Sequence, residues 1–468
     1  MGGSFSSRCA ELLQFLSTTK GDLANVTGPP SMLAPLSVVE VGRCWSQRPA
    51  VFAAPALEPD AGRRCLLVLR MFLIALRTQL YVGGSPTSSI KKPLNAFLGE
   101  LFLAEWTQEM AHGANSPASS ARSSLSSQAG DGQDSEPSHG ATDSSSSVSS
   151  RSRCACGTDR FTTRLVAEQV SHHPPITAMH IADDMHRVRA DGYARVEMTF
   201  SGAVQVRQVG HAIVRVDAYD EEYLMPLPDI TVRGFLSGCL YPEITETYHI
   251  VGSSGYTAEV NFSGKGFAWG GKRNAFAATV CGPRSDGKLP DAFSKKSPKT
   301  SNDGRGILYT IDGVWSQGWT VRDARTGTII ETYNVDAPEN APASTAVPPT
   351  AAQDPWESRR AWAGVLDGLR RGDLSRAVAE KSKIEQAQRQ MRAQEAAAGK
   401  AWTPLFFTNQ GHDGGDTFRR LATSVVHDSP KLRLHDDRTK GVWRAESDRI
   451  KTTQRPFRGR LTPLGELP

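Results

Sequence analysis

The sequence predicts a mainly β fold with helical additions, and two observations support this class. Between residues 161 and 335, short runs rich in Val, Ile, Thr, Tyr and Phe recur, separated by Gly and Asp turns. Within these runs apolar and polar residues alternate, as at 204–207 (VQVR), which is typical of half-buried strands. Many successive strands without intervening helices indicate antiparallel meanders, and therefore a large antiparallel barrel or sandwich.

Each predicted strand is a run of such residues, and residues typical of turns separate one run from the next. They lie in VRADGYARVEMTF (188–200), AVQVRQVGHAIVRV (203–216), ITVRGFL (230–236), YTAEVNFSG (256–264), FAATVCG (276–282), ILYTIDGVWSQGWTV (307–321) and GTIIETYNV (327–335). Among them, residues 288–306 form a predicted polar loop, and a Pro/Ala-rich linker follows the last strand.

Helices are predicted on both sides of the β region. Residues 36–82 have a mainly helical pattern, and 372–399 form a helix with Asp373 as N-cap and Gly399 as stop. A short amphipathic helix at 5–19 is either packed permanently on a core or a movable cover over a cavity. Residues 107–157 are dominated by Ser, Gly and Ala and predict a disordered insertion.

Composition limits the class of partner. The 468 residues carry a net charge of only +5, and the basic residues are scattered, which argues against nucleic acid and allows anionic lipid headgroups. Seven irregularly spaced cysteines predict reduced thiols in a cytosolic protein. The most apolar window, 65–80, is interrupted by Arg70 and Arg77, and the N-terminus lacks a signal-peptide pattern. Contact with a membrane is therefore expected from the cytosol.

Residues 168–175 read EQVSHHPP, with two adjacent histidines directly before two prolines. A metal site requires a third ligand, and a catalytic dyad requires a nucleophile or a paired carboxylate; no motif of either kind accompanies these rings. Proline pushes His173 toward extended geometry, in which neighbouring side chains point to opposite faces. Two interpretations stay open: a structural histidine pair, or a rigid pair of donors for an anion.

A second stretch, IKKPLNAFLGELFLAEW (90–106), again places a basic pair before proline. Lys91 and Lys92 precede Pro93, which fixes the direction in which Lys92 leaves the chain, and Asn95 adds amide donors. The apolar run that follows is typical of the rim of an apolar cavity. A solvated lysine pair before a core strand would give the same sequence pattern.

On the predicted helix at 372–399, Lys381, Glu385 and Arg389 are four residues apart and share one face. Leu374 and Val378 lie on nearly the same face, so this face begins apolar and becomes charged. The pattern fits a solvated ladder of ion pairs, or a helix that runs from a core to a polar mouth.

Together these stretches resemble the oxysterol-binding protein family. EQVSHHPP is similar to one family signature, and KKPLNAFLGE to the other, usually KKPLNPFLGE, with Ala96 in place of the second proline. NFSGKGF (261–267), WESRRAW (356–362) and KSKIEQAQRQMR (381–392) follow in the family's order. The resemblance covers roughly residues 5–400 and is closest to short fungal members that consist of the lipid-binding domain alone.

The resemblance implies a large antiparallel β-barrel around a lipid tunnel, an N-terminal lid and a C-terminal helical part. The corresponding predicted segments are a lid at 1–30, a core at 31–337 that contains the insertion at 107–157, a linker at 338–355, a helical part at 356–400 and a polar basic tail at 401–468.

The resemblance also implies two ligands that compete for the tunnel: phosphatidylinositol 4-phosphate and a sterol of the ergosterol or cholesterol type. The phosphoinositide site carried over by motif comprises Lys91, Lys92, Leu94, Asn95, His172, His173, Lys381, Glu385 and Arg389. The sterol site comprises a wall tryptophan, Trp45, and two polar groups at the tunnel floor, Gln79 and Gln208. Two positions depart from close relatives: Leu80, where these have a tyrosine although Tyr81 follows, and Ala194, where these have an asparagine.

The expected function is exchange of these lipids between membranes by a cytoplasmic protein that binds anionic membrane surfaces transiently, at the endoplasmic reticulum, Golgi or plasma membrane. No catalytic residue, metal or cofactor is predicted. One alternative is a lipid-dependent regulator that sequesters phosphoinositide without net transport. Another is a hydrolase or metal enzyme that uses the histidines.

Overall fold

A computed structural model of the protein describes residues 29–82, 85–109, 160–234, 239–264, 272–283, 306–411, 416–423 and 442–466. The predicted lid helix at 5–19, all of the insertion except 107–109, and all of the 288–306 loop except its last residue lie outside these ranges. The described residues up to 107 and from 162 onward form one compact unit. Residues 108–161 form a second unit, described only at 108–109 and 160–161.

Eight α-helices lie within the described residues. They are α1 (Arg43–Ser46), α2 (Pro49–Leu57), α3 (Ala61–Leu80), α4 (Ser358–Ala361), α5 (Ala363–Arg371), α6 (Leu374–Ala397), α7 (Asp416–Thr423) and α8 (Ser447–Thr452). The helical predictions for 36–82 and 372–399 are confirmed. The N-cap of α6 is Asp373, whose carboxylate accepts a hydrogen bond from the Arg376 N–H, and Gly399 follows the helix at a φ of +64°.

More of the described residues lie in strands than in helices. The first ten are β1 (Leu33–Ser37), β2 (Lys92–Leu94), β3 (Leu101–Glu109), β4 (Arg160–His172), β5 (Pro175–Asp183), β6 (Val188–Phe200), β7 (Val204–Val216), β8 (Glu221–Met225), β9 (Ile230–Arg233) and β10 (Tyr241–Glu243). The others are β11 (Glu246–Gly252), β12 (Thr257–Ser263), β13 (Ala275–Cys281), β14 (Ile307–Val314), β15 (Gly318–Asp323), β16 (Ile329–Asn334), β17 (Phe407–Asn409), β18 (Trp443–Ala445), β19 (Leu461–Thr462) and β20 (Gly465–Glu466).

One sheet contains fourteen of the described strands. Its main path runs β16-β15-β14-β13-β12-β11-β8-β7-β6-β5-β4-β3, and β9 joins β7 at one side and carries β10. The pairs from β4 to β16 are antiparallel, so the predicted meander and the mainly β class are confirmed. Among the described residues no pairing joins β3 to β16, so hydrogen bonds do not close the sheet at that point.

Helix α3 packs along the sheet and supplies much of the core. Asp60 caps its first turn by accepting a hydrogen bond from the Arg63 N–H at 2.8 Å. The buried Arg64 side chain forms a two-pronged ion pair with Glu221 at the start of β8, at 2.9 and 2.6 Å. These contacts hold the apolar face of α3 against the strands. No helix in the described part of the chain is both long and apolar enough to cross a bilayer.

The segment expected as a linker, 338–355, is pinned to the core by backbone hydrogen bonds. Ala343 donates to the Gln47 carbonyl at 2.8 Å, and Ala346 exchanges two hydrogen bonds with Glu105 of β3. Its Pro/Ala composition reflects an extended path along the surface of the core, where neighbouring elements satisfy the backbone groups.

Of the segment expected as a polar basic tail, 401–468, the structure describes 401–411, 416–423 and 442–466, and all three stretches contribute buried side chains to the core. Phe406 and Phe407 are each 1% exposed, and the indole N–H of Trp356 donates to the Leu461 carbonyl at 2.9 Å. The strands in this segment are only two or three residues long, so they carry no periodic pattern that sequence analysis could detect.

Gly210 in β7 provides a test of the sheet geometry. It stands opposite Ala194 of β6, has a φ of +140°, and a Cβ at this position would lie 2.1 Å from the Tyr193 carbonyl oxygen. We expect Gly210→Ala to lower the free energy of unfolding by about 2–4 kcal/mol, because backbone strain adds to a collision with backbone. Urea denaturation measures this loss, and the slope of the free energy of unfolding against urea concentration should stay unchanged.

The matched control is Gly202→Ala. Gly202 also has a positive φ, +80°, but nothing lies within 4 Å of the added Cβ. This variant should lose only about 1 kcal/mol, the contribution of conformation alone. Equal losses in the two variants would show that the close approach of β6 to Gly210 has no energetic consequence.

Candidate functional site

The two adjacent histidines lie at a tight turn between two long strands. β4 ends at His172, β5 begins at Pro175, and these two residues are paired in register, so His173 and Pro174 alone make the turn. The two imidazole rings meet edge to face, with centroids 4.7 Å apart. Side chains alternate between the two faces of a strand, but this does not separate the two rings, because His173 lies past the end of β4. Both rings are therefore available on one side of the turn.

The surroundings of His172 bring three sequence segments together. The Ala96 backbone, in the KKPLNAFLGE stretch, hydrogen-bonds to the ring, and Arg392 and Glu385 of α6 lie close enough for their charges to act on it. Burial is the main factor that lowers the pKa of His172, and the neighbouring His173 lowers it further. The Nδ1 atom is buried and has no hydrogen-bond partner in the described part of the chain. The ring is thus held in place, and its Nδ1 atom can still form a hydrogen bond with a ligand.

The KKPLN segment forms a short parallel pair with β1. Leu33 is in register with Lys92, and Ser37 with Leu94. Leu94 is fully buried, so its side chain anchors the strand and only its backbone is left for a ligand. Lys91 is exposed, whereas Lys92 and Asn95 are half-buried. The pairing therefore fixes the backbone from which the predicted cations extend.

Glu100 anchors the end of this stretch. Its carboxylate is fully buried and accepts hydrogen bonds from the Phe97 N–H at 3.1 Å and the Trp362 indole N–H at 2.9 Å. Burial raises the pKa of Glu100 to about 7, although these donors oppose the shift. The contacts tie the second half of the KKPLNAFLGE stretch to the C-terminal helices, which is a structural role.

Glu168, the first residue of EQVSHHPP, is structural in the same sense. It is fully buried in β4, and its two oxygens accept hydrogen bonds from the N–H groups of Leu405 and Phe406, at 2.7 and 2.8 Å. The Arg458 guanidinium lies 3.7 Å away. This carboxylate connects the strand that carries His172 to the C-terminal segment.

The charged face of α6 is arranged differently from the sequence expectation. Lys381 is only 7% exposed and forms an ion pair with Glu385, whereas Leu374 and Val378 are 38% and 47% exposed. The apolar start of this face is thus not in a core, as a helix that runs from a core to a polar mouth would require, because the helix packs through Ala377, Ile384 and Met391. Arg389, one turn after Glu385, is exposed.

Sequence analysis did not identify Arg392, although it belongs to the same surroundings. Its guanidinium donates to Glu395 at 2.8 Å and stacks on the Trp402 ring at 4.6 Å, and its charge acts on His172. The available signal was its position, seven residues after Glu385 and therefore on the same helix face.

The three residues expected for a sterol line one cavity. Trp45 of α1, Gln79 near the end of α3 and Gln208 of β7 all contribute to its wall, and the Gln79 amide donates to the Gln208 side-chain oxygen at 3.5 Å. The cavity volume is about 90 Å³. Typical ligand pockets measure roughly 300–1,000 Å³, so a whole sterol requires the wall segments to move apart.

Of the two positions that depart from close relatives, Ala194 lines this cavity and Leu80 does not. Tyr81, which follows Leu80, does not line it either: its hydroxyl accepts a hydrogen bond from the Asn274 amide at 2.8 Å, and its ring packs on Trp315. Tyr81 therefore does not supply to this cavity the hydroxyl that is missing at Leu80. Among the described residues, no three His, Cys, Asp or Glu side chains cluster as metal ligands would.

Comparisons with known proteins extend these observations. The family model described as oxysterol-binding protein matches residues 11–293. The chain is 39% identical over 454 residues to the probable transporter efuK of Hormonema carpetanum, covering 97% of this chain and 54% of that protein. It is 30% identical over 407 residues to the protein kes1 of Schizosaccharomyces pombe, covering 86% of this chain and 87% of that protein. The chain thus spans about half the length of efuK and most of the length of kes1.

Solved structures share the fold at lower identity. The ORD domain of Osh1 in complex with cholesterol superimposes with a TM-score of 0.55 at 18% identity, covering 86% of this chain and 84% of that one. The ORD of Osh3 from Saccharomyces cerevisiae, in complex with PI(4)P, gives a TM-score of 0.54 at 15% identity, covering 90% and 94%.

Proposed function

The chain belongs to the oxysterol-binding protein family, and on this premise we propose that it binds phosphatidylinositol 4-phosphate and a sterol alternately in one cavity and exchanges them between membranes. Relatives of the same fold carry cholesterol in one case and PI(4)P in another, which supports the choice of these two ligands. The observation that carries the proposal is the meeting of His172, the KKPLNAFLGE backbone and α6 at one turn.

The proposed headgroup site consists of Lys91, Lys92, Leu94, Asn95, His172, His173, Lys381, Glu385 and Arg389. A phosphate monoester carries up to two negative charges. Each cation at about 4 Å contributes on the order of 4 kcal/mol at an effective dielectric of about 20, before desolvation is subtracted. The unsatisfied Nδ1 of His172 can donate to the anion once the ring is protonated. The headgroup would be held at the turn while the acyl chains occupy the interior.

The proposed sterol site uses Trp45 as an apolar wall and the paired amides of Gln79 and Gln208 as partners for one hydroxyl. Burial of about 500 Å² of sterol surface would contribute roughly 12 kcal/mol, much of it offset by the cost of binding. One hydroxyl needs one or two hydrogen-bond partners, and the Gln79–Gln208 pair supplies them. Since both lipids use the same interior, binding of one excludes the other, and exchange needs no covalent step.

We place this activity in the cytoplasm, at the anionic surfaces of the endoplasmic reticulum, Golgi or plasma membrane. The protein would associate with each membrane transiently, because exchange requires it to leave with its cargo. The net charge of +5 favours such surfaces without fixing which pair of membranes is served.

Transfer between vesicles tests the proposal. Donor vesicles carry a fluorescent sterol and acceptor vesicles carry phosphatidylinositol 4-phosphate, and both lipids are followed over time. We expect sterol to move forward, phosphoinositide to move back, and each rate to depend on the presence of the other lipid. Binding of both lipids without transfer would support the regulator that sequesters phosphoinositide instead, and binding of neither lipid would contradict both functions.

A further inference from the structure

A second cavity is lined by neighbours of the residues that line the cavity of Trp45, Gln79 and Gln208, which we call the lipid cavity. Three arginines line it: Arg43 at the start of α1, Arg48 directly before α2, and Arg77 near the end of α3. Among the described residues that line it, Asp336 is the only one with a carboxylate. The cavity volume is about 520 Å³, which lies within the range of roughly 300–1,000 Å³ found for ligand pockets.

The three guanidinium groups are only partly neutralised. Arg77 pairs with Asp336 at 2.7 Å, and the Asp336 side chain is 67% exposed. Arg48 donates through Nε to the Asn340 carbonyl at 2.7 Å, but its buried Nη1 has no hydrogen-bond partner in the described part of the chain. Arg43 forms no ion pair with any residue that the structure describes. The three arginines and one aspartate among the described lining residues therefore leave two positive charges in excess.

The positions of these charges make the excess costly. Burial lowers the pKa of Arg48, and the nearby positive charge of Arg77 acts in the same direction. Two guanidinium groups that repel each other in a concave wall are stabilised by an anion that accepts hydrogen bonds from both. Guanidinium groups present planar forks of N–H donors that match the oxygens of a phosphate.

This cavity is separate from the lipid cavity, although the two share a wall. Trp45 and Gln79 line the lipid cavity, whereas their neighbours Arg43 and Arg77 line the second cavity. The Gln47 amide joins α1 to α3 by donating to the Thr78 hydroxyl at 2.6 Å. The two linings share no residue, so a ligand in the second cavity would not occupy the space of the residues that we propose to contact the sterol.

We propose that Arg43, Arg48 and Arg77 form a second anion site, which binds a phosphate group carried either by a free metabolite or by a lipid headgroup. The proposal does not rest on the proposed exchange function, because none of the three arginines belongs to the headgroup site at His172 and His173. Arg48 supplies the buried donor, and Arg43 and Arg77 close on the phosphate from the two helices.

The test uses the full chain with both Arg43 and Arg77 replaced by glutamine, which spares the more buried Arg48. Calorimetric titration with inorganic pyrophosphate reports the free anion. Flotation with phosphatidylcholine vesicles, with and without phosphatidic acid, reports the lipid headgroup. The matched control is Arg70→Gln: Arg70 also lies on α3 and pairs with Glu331 at 3.3 Å, but it is not among the residues that line this cavity.

We expect the double variant to weaken pyrophosphate binding, the flotation that depends on phosphatidic acid, or both, by at least about tenfold. The reason is that each lost guanidinium removes charge-assisted hydrogen bonds. Loss of pyrophosphate binding alone identifies a free phosphate ligand, and loss of flotation alone identifies a lipid headgroup. The proposal is overturned if neither changes, or if Arg70→Gln loses as much as the double variant. Thermal unfolding at the wild-type temperature shows that the double variant is folded.

Discussion

Replacing His172 and His173 together with glutamate is expected to reduce extraction of phosphatidylinositol 4-phosphate from vesicles by at least about 100-fold. The two rings lie 4.7 Å apart at the turn between β4 and β5, so two donors become two repelling carboxylates at one point. A carboxylate introduced about 4 Å from a phosphate charge adds several kcal/mol of repulsion even at a dielectric of about 20. Extraction is measured by sedimenting vesicles and assaying the lipid left in solution.

Sterol binding by the same variant should persist, because Trp45, Gln79 and Gln208 line a cavity to which neither histidine contributes. The matched control is Lys383→Glu on α6. It introduces the same kind of charge, but the Lys383 side chain is 62% exposed and pairs with Glu380. The control should extract phosphoinositide normally. If the folded histidine variant lost sterol binding and phosphoinositide extraction equally, separate contacts for the two lipids would be ruled out.

Replacing Glu168 with alanine is expected to lower the free energy of unfolding by about 3–5 kcal/mol. The change leaves the buried N–H groups of Leu405 and Phe406 without acceptors, which costs about 1–3 kcal/mol each, and removes the carboxylate beside Arg458. Chemical denaturation measures the loss. Since Glu168 joins β4 to the C-terminal segment, hydrogen exchange should also increase at residues 405–407.

The control for this variant is Glu105→Ala, which removes a carboxylate paired with Arg164 on the surface. Both side chains of that pair are about half exposed, so the loss should stay below about 1 kcal/mol. Similar losses in the two alanine variants would contradict a structural role for the buried carboxylate of Glu168.

The pH dependence of stability gives an independent check on Glu168. Burial raises the pKa of Glu168 in the folded protein from 4.5 to about 7, so the folded state binds the proton more tightly than the unfolded chain does. The stabilisation that its protonation provides is complete below pH 4.5 and is lost as the pH rises through about 7. Wild type should therefore lose stability relative to Glu168→Gln, whose amide does not titrate, between pH 5 and pH 8. The measured quantity is the difference between their free energies of unfolding.

Long strands of the fold were predictable because their apolar residues repeat with period two. The run predicted at 188–200 coincides with β6, and the helix predicted from the Asp373 cap coincides with α6. The C-terminal segment was missed for a physical reason: β17 and β18 have three residues each, which is too short to show a period. Their stability comes from Phe406, Phe407 and other side chains whose partners are distant in sequence.

The candidate site was predictable only in part. The resemblance identified the histidine pair and the charged residues of α6, but not which face of that helix is buried, because spacing alone does not identify the partner surface. Consequently Lys381 is buried, whereas Leu374, which was expected to be buried, is exposed. The arginine cavity had no sequence signal: Arg43, Arg48 and Arg77 become neighbours only because α1 packs on α3.

The central claim is that cationic side chains from three distant segments surround one phosphorylated headgroup at the β4–β5 turn. A crystal or cryo-EM structure of the protein with phosphatidylinositol 4-phosphate bound tests it most directly. The claim predicts phosphate oxygens within about 3.2 Å of donors on Lys92, His172, His173 and Arg389. A phosphate bound elsewhere, or those four side chains on separate surfaces, would contradict it.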